Sequence, residues 1–100
     1  MELPDEIKIG DMFYSVSYHG EIYAKDRPKQ RLYGQCDFMD CHIDIVPHPE
    51  TFKNTLLHES IHAISTFMAA DLKEDQIDNM ASGIRMFIID NPELIDLLRR

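Results

Sequence analysis

Apolar and polar positions along this chain change their period near its middle. In the first half they alternate. Ile7 and Ile9 flank Lys8, and Met12 to Tyr18 mixes aromatic and β-branched residues before a His19-Gly20 turn signal. Glu21 to Ala24 continues as a strand or opens an irregular loop. Asp26 to Gln30, with Pro28, is a polar connection. Leu32 to Phe38 and His42 to Val46 read as two strands around Met39-Asp40. Ile43 and Ile45 flank Asp44 in the second of them, as in a half-buried strand. Pro47 and Pro49 close the strand region.

In the second half the period becomes helical. A long helix is expected from Pro49 or Glu50 to Ala70. Leu57, Ile61, Ile64 and Met68 form one stripe, and Leu56, Ala63 and Phe67 a second, so this helix should be central and buried. After Ala70 to Lys73, a second helix is expected from Glu74 to Ile89, with Ile77, Met80, Ala81, Ile84 and Ile88 on one face. Gly83 in its interior costs about 1 kcal/mol relative to alanine and would let another helix come close. Asp90-Asn91-Pro92 breaks the pattern. Asn91 is suited to cap a last short helix that packs through Leu94, Ile95, Leu97 and Leu98.

Strands first and helices second define an α+β class. The expectation is an N-terminal antiparallel sheet of three to four strands, packed on two C-terminal helices plus a short terminal one. One hundred residues, 44% of them apolar, suit a single domain over residues 1–100 with one modest core. Eighteen acidic and ten basic residues, net −8, argue against a nucleic-acid partner. Lys25, Arg27, Lys29 and Arg31 alternate in one segment and read as a solvated hairpin tip. No apolar run reaches the roughly 20 residues of a membrane span. The acidic start, Met1 to Glu6, does not resemble a signal peptide, so a soluble cytoplasmic protein is expected. Cys36 and Cys41 read as thiols on strands; a zinc site combining them with His42 is the rival reading.

The segment that carries chemistry is Thr55-Leu56-Leu57-His58-Glu59-Ser60-Ile61-His62. Its core is His-Glu-x-x-His, the zinc-peptidase pattern. Residues four apart on a helix lie only about 40° apart around the axis, so two imidazoles can grip one ion. Glu59 projects beside the ion, where it can polarise water held there. It is the only charge between Thr55 and Met68, and burying these groups without a task would be costly. A catalytic zinc needs a third protein ligand and an open position. Glu74 is the choice from its helix face, with Asp78, Asp75 or another histidine as alternatives. Asp78, one turn on, is suited to fix a ligand histidine's tautomer. Against Glu74 stands the pattern Asp71-x-x-Glu74, which resembles a capping box. His48, beside two prolines, is expected to be exposed.

With these residues the chain resembles the minimal gluzincin metallopeptidases, including the ImmA/IrrE-like and SprT-like families. It is also similar to small phage and prophage proteins of bacteria. The shared features are the start of the His-Glu-x-x-His helix (Thr55 to His62), the acidic segment Glu74 to Asp78, and Asp90 to Leu94. The resemblance spans about residues 32 to 98. It implies a zinc ion held by His58, His62 and Glu74, with Asp78 supporting a ligand histidine, Glu59 as catalytic base and a peptide or protein as substrate. The Glu-Ala-Asn segment of ImmA/IrrE proteins is replaced here by Gln76-Ile77-Asp78, and their accessory domains are missing, so a repressor-cleaving role does not carry over. Tyr14, Tyr18, Tyr23, Tyr33 and His48 are candidates for a further donor to the substrate carbonyl, and His42 to Val46 for the sheet edge that receives the substrate. The rival function is a zinc-stabilised regulatory or binding module without turnover.

Overall fold

Tyr14 and Val16 turn inward from one strand, Ile43 and Ile45 from its neighbour, and all four are buried. They seed a core built between a sheet and a helix. The computed structural model describes residues 3–27 and 29–100. Met1 and Glu2 of the acidic start, and Pro28 of the polar connection, lie outside the described residues.

The strands are β1 (Glu6–Ile9), β2 (Met12–Tyr18), β3 (Ile22–Tyr23), β4 (Arg31–Leu32), β5 (Gly34–Asp37) and β6 (His42–Ile45). The helices are α1 (Phe52–Phe67), α2 (Glu74–Asp90) and α3 (Pro92–Leu98). This is the expected α+β order. The main sheet runs β1-β2-β6-β5, and β3 and β4 form a separate hairpin. Lys25 and Arg27 lie exposed near that hairpin's tip, and Arg31 pairs with Glu21.

One pairing departs from a fully antiparallel sheet: β2 and β6 run parallel, with Val16 opposite Ile43. The excursion through β3 and β4 returns the chain at the far edge, running opposite to β2. The turn after β5 then reverses β6 into the direction of β2. As a result His42–Ile45 is paired on both sides and offers no free edge, contrary to expectation; the edges of this sheet are β1 and β5.

Gly10 opens the two-residue turn between β1 and β2 with φ +61°, a conformation glycine adopts without steric cost. A Cβ there would also strike the Phe67 ring.

Helix α1 lies between the sheet and α2. Ala63 joins the sheet core, with Phe52 and Leu56 packed against it. Ile61, Ile77 and Ala81 form a second core between the helices, with Leu57, Leu72 and Ile84 around it. The helix starts later than expected, because Pro49 to Thr51 form a turn in which the His48 carbonyl accepts the Thr51 and Phe52 amides. It is also less enclosed than its composition suggests. Ile64, Phe67 and Met68 are exposed, since sheet and α2 cover only part of its circumference. Asn91 does not cap α3 through its side chain; its amide donates to the Phe87 carbonyl at the end of α2. Nor do Leu94, Leu97 and Leu98 pack into the fold: α3 rests chiefly on α2, and all three stay exposed. No helix among the described residues is long and apolar enough to cross a membrane.

Candidate metal centre

The loop after α1 decides where α2 begins. Ala69 and Asp71 take left-handed backbone angles, and the amide of Ala70 donates to the Ser65 carbonyl. The buried Ser65 hydroxyl accepts the Leu72 amide at 3.0 Å, tying the loop to the helix it leaves. Lys73 then occupies the N-cap position of α2, and the Gln76 side chain accepts its backbone amide at 2.8 Å. Gln76 therefore does the capping that the Asp71-x-x-Glu74 pattern suggested for Glu74. The Glu74 carboxylate is left to face α1.

There it meets both histidines. His58 and His62 stand one turn apart, and their Nε2 atoms are 3.1 Å from each other. Glu74 Oε1 lies 2.6 Å from His58 Nε2, and Oε2 lies 3.1 Å from His62 Nε2. Zinc held at about 2.0–2.1 Å by tetrahedral ligands has ligand atoms about 3.3 Å apart. The three side chains already approach that spacing. On the far side of the His58 ring, Asp78 Oδ1 is 2.7 Å from Nδ1. If Nδ1–H donates to Asp78, a neutral His58 turns the lone pair of Nε2 toward a carboxylate and a second imidazole. Lone pairs that converge this way call for a cation between them. The donor set fits zinc in chemistry as well as in spacing, and Asp78 has the carboxylate role that commonly orients a ligand histidine.

Glu59 sits beside this cluster, buried to 6% exposure. Burial pushes its carboxyl up to about 7. His58 pulls it down in part, while Glu74 and Asp78 push it further up. Its side chain also packs against β5. A Cβ on Gly34 would lie 3.2 Å from Glu59 Cγ and 2.7 Å from the Thr55 methyl, so glycine lets the strand approach α1. Sequence reasoning missed Gly34, because nothing in a lone Gly-Gln-Cys segment announces which helix will pass over it.

A cleft of about 430 Å³ opens over the cluster, lined among others by Arg31, Tyr33, Gly34, His58, Glu59 and Glu74. Of the five candidate donors to a carbonyl, Tyr33 alone lines it. Tyr14 is in the core, Tyr18 donates to the Pro4 carbonyl, and Tyr23 donates to Glu21. His48 is exposed and accepts the Glu50 amide. Asp75 bonds the amide of Gln76. The rival cysteine site does not form. Cys36 packs against the sheet core, where burial pushes its thiol up to about 12, and His42 turns its nitrogens to Ser15 and Asp44. No family model, curated protein or solved structure matches this chain.

Proposed function

We propose that this protein is a zinc-dependent peptidase of the gluzincin type. The observation that carries this reading is the convergence of His58, His62 and Glu74 on one point, with Glu59 buried beside it. His58, His62 and Glu74 would hold the zinc. Bound there, zinc supplies a Lewis acid that polarises a carbonyl and acidifies water. Asp78 fixes the His58 tautomer. Glu59, its carboxyl raised towards neutrality by burial, accepts a proton from the attacking water and returns it to the leaving nitrogen. Tyr33 is our choice for the donor to the carbonyl oxygen.

A peptide substrate suits the edge of the cleft. The Val46 amide donates to the Tyr33 carbonyl, and the register continues through Gln35 with Asp44 and Asp37 with His42. By the alternation of antiparallel pairs, the backbone groups of Gly34 and Cys36 point away from β6. They are available to an extended chain added along β5.

The resemblance to small prophage proteins supports a cytoplasmic setting in a bacterial host, as do two cysteines that stay free thiols. The test is hydrolysis of a random peptide mixture by the zinc-loaded protein, read by mass spectrometry. Glu59→Gln should lower turnover by about 100-fold or more and keep the zinc. A second reading has one observation of its own: the cluster straps α1 to α2 and would stabilise a small fold without turnover. Under it, wild type cleaves nothing and Glu59→Gln costs nothing.

A further inference from the structure

We propose that the α2–α3 end of the molecule is a self-association surface on which two copies pack about a two-fold axis, with α3 antiparallel to its counterpart.

Met86, Phe87, Ile88 and Ile89 are four consecutive apolar residues, and all are exposed. Four in a row cover every side of a helix, a pattern expected where a helix is surrounded. The stripe that anchors α2 shows why they are left bare. Ile77 and Ala81 are buried against α1, Ile84 is half-buried, and Ile88 is 43% exposed. Arg85 already reaches Asn54, two residues from the start of α1. Beyond it Met86 to Ile89 are left exposed, and α3 adds the exposed Leu94, Leu97 and Leu98 to the same end. The overhang lengthens the molecule: its radius of gyration is 14.0 Å, against about 13 Å for a compact chain of this length. Gly83 shares a helix face with Met80 and Phe87, and a Cβ there would meet nothing within 4 Å. The room it leaves is open to a helix from outside the chain.

Area and charge identify the occupant as a second copy. The exposed parts of Met86 to Ile89, Leu94, Leu97 and Leu98 amount to about 700 Å², taking roughly 200 Å² for a large apolar side chain; this is the most a partner could cover, since Met86 to Ile89 point to all sides of α2. A standard interface uses about 800 Å² per partner. The chain carries −8, yet residues 85–100 hold three acids and three bases and are neutral. In α3 and its end the charges are ordered, Glu93 and Asp96 first, Arg99 and Arg100 last. An antiparallel two-fold contact sets the acidic end of one copy against the basic end of the other, a pattern that is complementary to itself.

Sedimentation of the purified full chain tests this. Wild type should run at twice its 11.7 kDa mass. Ile88→Lys and Leu97→Lys should each give a monomer with an unchanged helical circular dichroism spectrum, while Met39→Lys, at a remote exposed turn, should remain dimeric. Arg99→Glu with Arg100→Glu should raise the dimer Kd roughly tenfold. Adding Glu93→Arg and Asp96→Arg should restore it. A wild-type monomer at every soluble concentration overturns the proposal, as does a dimer that survives both lysine variants. Failure of the double reversal to restore affinity overturns the antiparallel arrangement.

Discussion

Asp78 and His58 meet across 2.7 Å, carboxylate oxygen to Nδ1, while Glu74 holds the opposite nitrogen of the same ring. Glu74 and Asp78 are one turn apart on α2, so a single helix face grips an imidazole from both sides. The contact does two things. With Nδ1–H donating to Asp78 it leaves Nε2 for the proposed zinc, and it fixes the plane of the ring.

Asp78→Ala should therefore weaken zinc binding by about 10- to 100-fold without removing a ligand. Competition against a chromophoric chelator measures this. An unchanged affinity would show that the ring is oriented by packing alone and that Asp78 is incidental.

On the proposed ligand set, removal of zinc should cost stability, because His58, His62 and Glu74 come from two helices and meet only in the folded chain. At zinc concentrations about 1,000 times the Kd, binding adds about 4 kcal/mol. For a chain of this size that raises the melting temperature by roughly 15 °C or more. A chelator should reverse the gain, and His62→Ala should abolish it. Identical melting curves with zinc and with chelator would sink the ligand assignment.

The metal-free protein should also become less stable as pH rises through the window set by Glu59. Its carboxyl is raised from the ordinary 4.5 to about 7, chiefly by burial. Between those values the folded state holds a proton that the unfolded state has lost. The contribution is complete below about pH 4.5 and is lost as pH climbs past 7, on the order of 3 kcal/mol in all. Bound zinc, a dication beside the carboxylate, should flatten the dependence, and Glu59→Gln should remove it. Melts at about pH 5 and about pH 8, with and without chelator, decide the matter. Asp44 works in the opposite direction at lower pH. Burial raises its carboxyl, but hydrogen bonds from Gln35, His19 and His42 outweigh that and leave it lowered, so its stabilisation fades in acid.

What could be read from the sequence followed from local periodicity. His58, Glu59 and His62 have a spacing whose geometry is fixed by the helix itself, and α2 begins at Glu74, where its apolar stripe predicts it. Two things were not local. The direction of β6 depends on how the chain is routed between β2 and β5, which no strand pattern encodes, so His42 to Val46 reads as an edge in the sequence and is an inner strand in the fold. The burial of Ile64, Met80, Ile88 and Leu97 depended on what lies opposite each. Periodicity told which residues share a face, and only packing told which faces are covered.

Gly34 supplies the most demanding test of the site, because its role is to be small. A side chain there would put Cβ 2.7 Å from the Thr55 methyl and 3.1 Å from the Asp44 carbonyl oxygen. The methyl contact is shorter than real contacts allow, so strand and helix must separate or Thr55 must turn. Gly34→Ala should cost about 1–3 kcal/mol, as overpacking does elsewhere. It should also lower turnover, since the displaced helix carries Glu59. Thr55→Ser removes the methyl and leaves the hydroxyl that bonds the Thr51 carbonyl. In the Gly34→Ala background it should return much of the lost stability, a non-additivity expected of residues in contact. A double variant as unstable as the sum of the single ones would mean that β5 and α1 are not pressed together here. The approach of the strand edge to the histidines would then lack its explanation.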